Sequence, residues 1–143
     1  MLVREVMTRD VAVVHPDTPV QEAADRMKDL DVGLLPVCDG DRLVGMVTDR
    51  DLTVRSTAEG LDPWTACVRD ALTPGVVYCF EDQDAAEAAR VMKERQVRRL
   101  PVLDRDKRLV GIVSLGDLAV ETGDERLAGS ALEGVSEPHR PNR

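Results

Sequence analysis

Leu43-Val44-Gly45-Met46-Val47-Thr48-Asp49-Arg50-Asp51-Leu52 returns later in the chain as Leu109-Val110-Gly111-Ile112-Val113-Ser114-Leu115-Gly116-Asp117-Leu118. Working outward, Leu35-Pro36-Val37 meets Leu100-Pro101-Val102, and Val3-Arg4-Glu5-Val6-Met7-Thr8 meets Val68-Arg69-Asp70-Ala71-Leu72-Thr73. One extra residue near Arg108 is all that separates the two registers. Roughly 23 of about 52 aligned pairs are identical, far above chance at a fixed period. A solenoid needs three or more stacked units, so two copies imply closure instead. The expectation is an α+β fold in which two β-α-β-β-α repeats pack face to face about a pseudo-two-fold axis. Any cleft would then occur twice with related chemistry.

The 143 residues suffice for one compact body with a real core. Hydrophobic residues make up 43% but aromatics only 2%, so the core must be built from Val, Leu, Ala, Met and Ile. A formal net charge of −8 and a pI near 4.8 argue against a nucleic-acid partner or an anionic membrane surface. Arg4 and Glu5 precede any apolar run, which is not a signal-peptide pattern, and no stretch approaches the ~18 apolar residues of a membrane span. A cytoplasmic protein is expected. Cys38, Cys67 and Cys79 lack paired or metal-type spacing and read as free thiols in a reducing compartment, with a redox or metal role as the alternative. No metal site is expected.

The apolar run Val11-Ala12-Val13-Val14 suits a buried strand. Thr18, Pro19 and Gln21 read as N-cap, first helical position and capping-box partner of a helix whose apolar face is Val20, Ala23, Ala24, Met27 and Leu30. In the second copy Asp84 and Glu87 form the cap, with Ala85, Ala88, Ala89 and Met92 on the face. Apolar runs at 34–38 and 43–47 flank Asp39-Gly40-Asp41-Arg42, a hairpin signal. A closing helix starts near Thr48 and runs to about Arg55; its counterpart ends near Gly123. The boundaries are repeat 1 at 1–55, a connector at 56–67, repeat 2 at 68–122 and a tail at 123–143, mobile from Ser136. Trp64 is read as pinning the connector to the body, with ligand stacking as the alternative.

The chemistry lies in the motif that closes each repeat: Gly, two apolar residues, Thr or Ser, two residues, Asp. A strand there ends in a hydroxyl residue at a helix N-terminus, where the hydroxyl caps the helix and unpaired N–H groups favour an anion. An Asp one turn in can accept two hydrogen bonds from a vicinal diol such as a ribose. In one copy the motif reads as a plain capping box. Its recurrence at matching places favours nucleotide binding.

In these residues the chain resembles a tandem pair of CBS (cystathionine β-synthase-type) domains: Val-Arg-x-x-x-Thr at each start, the two Leu-Pro-Val triplets and the two Gly-x-x-(Thr/Ser)-x-x-Asp motifs. With Gly-Leu-Asp-Pro in the connector, it is similar to stand-alone bacterial CBS pairs, the actinobacterial hypoxic-response proteins among them. The resemblance covers about residues 3–122. It implies a regulatory ligand containing adenosine (AMP, ADP, ATP or S-adenosylmethionine) in two clefts between the repeats, no required cofactor, homodimerisation and signalling to a regulated protein in trans. Carried over residue by residue, the first cleft takes Thr48, Arg50 and Asp51 with Val97, Arg98, Arg99, Leu100 and Pro101, plus Thr73 and Val76. The second takes Ser114 and Asp117 with Gly33, Leu34, Leu35 and Pro36, plus Thr8 and Val11. Arg50, Arg98 and Arg99 of the first correspond to Gly116, Gly33 and Leu34 in the second, so phosphate is expected in the first.

No Ser-His-Asp set, P-loop lysine or Gly-rich phosphate loop is present, and catalysis is not expected. The competing reading is a dimerising interaction protein whose clefts are vestigial and unoccupied.

Overall fold

The computed structural model describes residues 1–73, 75–123 and 125–137, with Ala128 described by its backbone alone. In chain order the elements are α1 (Val3–Val6), α2 (Val20–Leu30), β1 (Leu34–Asp39), β2 (Arg42–Thr48), a π-helical turn (Asp51–Arg55), α3 (Ser56–Ala58), α4 (Val68–Ala71), β3 (Cys79–Phe80), α5 (Ala85–Arg95), β4 (Arg99–Leu103), β5 (Leu109–Ser114), α6 (Leu115–Thr122) and α7 (Glu125–Ser136). They form two compact units: unit 1 is Met1–Val11 with Val77–Arg143, and unit 2 is Ala12–Val76.

These units do not coincide with the sequence repeats. The opening segment of each repeat joins the body of the other. In unit 1, Thr8 exchanges both backbone hydrogen bonds with Ile112 (2.8 and 3.0 Å), extending the β3-β4-β5 sheet beyond β5. In unit 2, Thr73 bridges Met46 in the same antiparallel manner beside the β1-β2 hairpin. The motif glycines permit this crossing. A Cβ on Gly111 would lie 2.7 Å from both the Thr8 carbonyl oxygen and Met7 Sδ, and one on Gly45 would lie 2.7 Å from a Leu72 methyl.

Each unit has its own aliphatic core. In unit 1, Val3 and Val6 of α1 are buried with Met92, Leu100, Val102, Val113 and Leu118; in unit 2, Val68 and Ala71 of α4 are buried with Ala23, Met27, Leu35, Val37 and Val47. Alanines at Ala23, Ala88 and Ala89 leave room for close approach of helix and sheet, as the composition requires. The two hairpins share even their irregularity, a register shift after Val37 and after Val102.

Several local expectations are corrected. The strand expected over 11–14 reduces to one parallel bridge, Val14 to Val37. Thr18 does not cap α2; its hydroxyl accepts the His15 N–H at 3.0 Å, and Pro19 occupies the cap position. The first N–H groups of α2 go instead to connector carbonyls, Val20 to Ala66 and Gln21 to Pro63, both at 2.9 Å. Those bonds pin the connector, whereas Trp64 is 70% exposed. Asp84 does cap α5, accepting from Ala86 N–H at 2.9 Å, but Glu87 accepts from the Gln83 amide rather than closing a box. The tail expected from 123 opens with the helix α7, whose Ala131 is buried against the unit 1 core. Of the mobile stretch expected over 136–143, residues 138–143 lie outside those described.

Candidate functional site

The register of each hairpin places the motif hydroxyl opposite the strand entry: Thr48 pairs with Leu34 and Ser114 with Arg99. The residue after the hydroxyl is then held by the preceding residue's carbonyl. Asp49 N–H donates to Gly33 O at 2.9 Å, and Leu115 N–H to Arg98 O at 2.8 Å. Beyond this point both motifs form a reciprocal box. Thr48 Oγ1 accepts from Asp51 N–H while Asp51 Oδ2 accepts from Thr48 N–H, both at 3.0 Å. Ser114 Oγ accepts from Asp117 N–H at 3.0 Å and Asp117 Oδ2 from Ser114 N–H at 2.9 Å.

The copies differ in the other carboxylate oxygen. Asp51 Oδ1 accepts from the Thr73 hydroxyl at 2.9 Å and lies 3.7 Å from Arg55 Nε, and the Asp51 side chain is only 13% exposed. Arg55 also donates to the Leu72 carbonyl at 3.4 Å. Thr48, Asp51, Thr73 and Arg55 thus form one polar network in unit 2. Asp117 has no such contact among the described residues, and Glu121 stands where the first copy has Arg55. Sequence reasoning missed Arg55; its position four residues after Asp51, on the same helical face, was the available signal. A carboxylate has about four acceptor positions, so neither Asp is saturated by these bonds.

Val97, Arg98, Arg99, Leu100 and Pro101 belong to unit 1, as do Thr8, Val11, Ser114 and Asp117. Thr48, Arg50, Asp51, Thr73 and Val76 belong to unit 2 with Gly33, Leu34, Leu35 and Pro36. Leu35, Pro36, Leu100 and Pro101 are buried; Arg50, Arg98 and Arg99 are exposed. Within unit 1 a cavity of about 480 Å³ is lined by Arg98, Arg99, Ser114, Leu115, Gly116 and Ala119, with Gly129 and Leu132 contributed by α7. Two guanidinium groups beside the N-terminus of α6 make this an anion-favouring pocket. The α7 residues in its wall were not foreseen.

Among the described residues no group of three or more His, Cys, Asp or Glu side chains is arranged to hold a metal ion. The cysteines are free, and burial raises the Cys38 thiol to about 11, helped by Asp41, and the Cys79 thiol to about 12. No helix among the described residues is long and apolar enough to cross a membrane.

The sequence matches the CBS domain family twice, over residues 3–56 and 68–122. The chain is a CBS-domain pair. This CBS pair is 42% identical to the CBS domain-containing protein YhcV of Bacillus subtilis over 134 residues, 94% of each chain. Its fold matches the crystal structure of hypoxic response protein I with two coordinated zinc ions, at TM-score 0.76 and 40% identity, covering 83% of this chain and 97% of that one. It also matches CBSX2 from Arabidopsis thaliana in complex with AMP, at TM-score 0.74 and 32% identity, covering 85% and 95%.

Proposed function

We propose that this CBS pair is a non-catalytic regulatory module of the cytoplasm that binds an adenine nucleotide, works as a homodimer and signals to a regulated protein in trans. The observation that carries the reading is the duplicated hydroxyl–carboxylate set at a helix start, Thr48 with Asp51 and Ser114 with Asp117. In it a partly buried carboxylate keeps acceptor capacity for a ribose diol while nearby backbone N–H groups favour phosphate. Thr73 and Val76 line the first site and Thr8 and Val11 the second, while Arg98 and Arg99 supply charge-assisted contacts to phosphate. The AMP complex of the related CBSX2 supports the ligand class. Free thiols at Cys38, Cys67 and Cys79 suit a reducing compartment.

A thermal-shift panel of adenosine, AMP, ADP, ATP and S-adenosylmethionine tests the reading. At about 100 times Kd a ligand adds about 2.7 kcal/mol. Arg99→Ala should weaken ATP more than adenosine. A second reading, a dimerising protein with unoccupied sites, is favoured by the reciprocal boxes, which already engage both Asp side chains. It predicts no shift with any member of the panel.

A further inference from the structure

The two units treat one equivalent face differently. In unit 1 the helix α7 lies against α5 and α6: Lys93 Nζ donates to Ser130 Oγ at 3.3 Å, Gln96 donates to the carbonyls of Gly134 and Glu137, and Gly134 sits directly over the Lys93 stem. Beneath it Ala89 is only 5% exposed. The repeat places Ala24 and Lys28 of α2 where unit 1 has Ala89 and Lys93, yet there Ala24 is exposed. A groove of about 410 Å³ remains open, lined among others by Val20, Ala24, Lys28, Leu52 and Ser56.

Two features mark this groove as an unfinished contact. Ser56 Oγ is buried and has no hydrogen-bond partner, whereas Thr122 at the equivalent place in unit 1 donates to the Leu118 carbonyl. A buried hydroxyl without a partner is costly, so one supplied from outside would be favoured. On the rim, Asp25 and Lys28 carry opposite charges one turn apart, and neither forms an ion pair among the described residues. Under a two-fold rotation Asp25 of one copy meets Lys28 of the other, which makes the face complementary to itself.

We propose that the α2 face of unit 2 is the homodimer interface and that its occupant is the same face of a second copy. The α7 helix closes the corresponding face of unit 1 and restricts assembly to unit 2. This inference rests on the homodimer proposed above and assigns its surface.

Light scattering on the full chain, with circular dichroism to verify folding, tests it. Ala24→Arg, at an exposed helical position that Arg tolerates well, should turn the dimer into a folded monomer. Asp25→Lys should weaken the dimer at least tenfold, and the double variant Asp25→Lys/Lys28→Asp should restore it, a rescue that a purely structural role would not produce. A wild-type dimer untouched by Ala24→Arg would overturn the face assignment and leave the homodimer standing. A wild-type monomer at micromolar concentration would overturn both.

Discussion

Adding one methyl group to Gly111 tests the segment exchange at its tightest point. The new Cβ would lie 2.7 Å from the Thr8 carbonyl oxygen and 2.7 Å from Met7 Sδ. The sulfur can swing away, but the carbonyl cannot, because Thr8 is held by two hydrogen bonds to Ile112 at 2.8 and 3.0 Å. Relieving the clash must lift the opening segment off β5. Overpacking of this kind costs about 1–3 kcal/mol, and weakening one backbone hydrogen bond adds up to about 1 kcal/mol. Reduced freedom of the unfolded chain returns about 0.4–1 kcal/mol. Gly111→Ala should therefore destabilise by about 1–3 kcal/mol by these terms. Gly45→Ala is the internal control. Its Cβ meets only the Leu72 side chain, which can rotate, so its cost should stay below about 1 kcal/mol. Urea denaturation followed by far-ultraviolet circular dichroism is the appropriate assay, since Trp64, 70% exposed, reports little on the core. Gly111→Ala matching the wild type, or Gly45→Ala costing more, would refute the reasoning.

Other outcomes follow from the same structure. Leu118, fully buried in the unit 1 core, should cost about 2–5 kcal/mol on replacement by Ala in the same assay. Among native thiols, Cys67 should react first with an aromatic disulfide at pH 8, because burial raises Cys38 to about 11 and Cys79 to about 12; equal labelling of all three would contradict this. The Ala86 N–H and the chain's terminal ammonium hold the Asp84 carboxyl below its usual range. Its stabilisation is present above the unfolded pKa and lost as pH falls through the folded one, so Asp84→Asn should flatten the acid limb of a melting-temperature profile below about pH 4.

Much of this architecture was legible in the sequence. The repeat set the order of helices and hairpins, and Gly45, Thr48 and Asp51 with their counterparts marked where each hairpin turns into a helix. The exchange of opening segments was not, because a repeat shows which segments are equivalent but not which copy each one pairs with. The start of α2 was misread for a related reason: Thr18 has the right chemistry for a cap, but the carbonyls of Pro63 and Ala66 reach the helix first. Helix α7 was passed over although Leu127, Ala131 and Val135 recur at helical spacing, since Gly129, Gly134 and Ser136 lower its intrinsic propensity. At the candidate site the two Asp residues were readable from spacing. The bonds of Asp51 to Thr73 and Arg55 were not, because they depend on how the incoming segment lies on β2.

The central claim is that the duplicated hydroxyl–carboxylate sets bind an adenine nucleotide, and titration calorimetry of AMP and ATP against the wild type, Asp51→Ala and Asp117→Ala tests it most directly. The account predicts saturable heat with the wild type, most of it lost in Asp51→Ala and less in Asp117→Ala, with both variants folded by circular dichroism. Wild-type protein that takes up neither nucleotide, or binding that survives Asp51→Ala and disappears in Asp117→Ala, would contradict it.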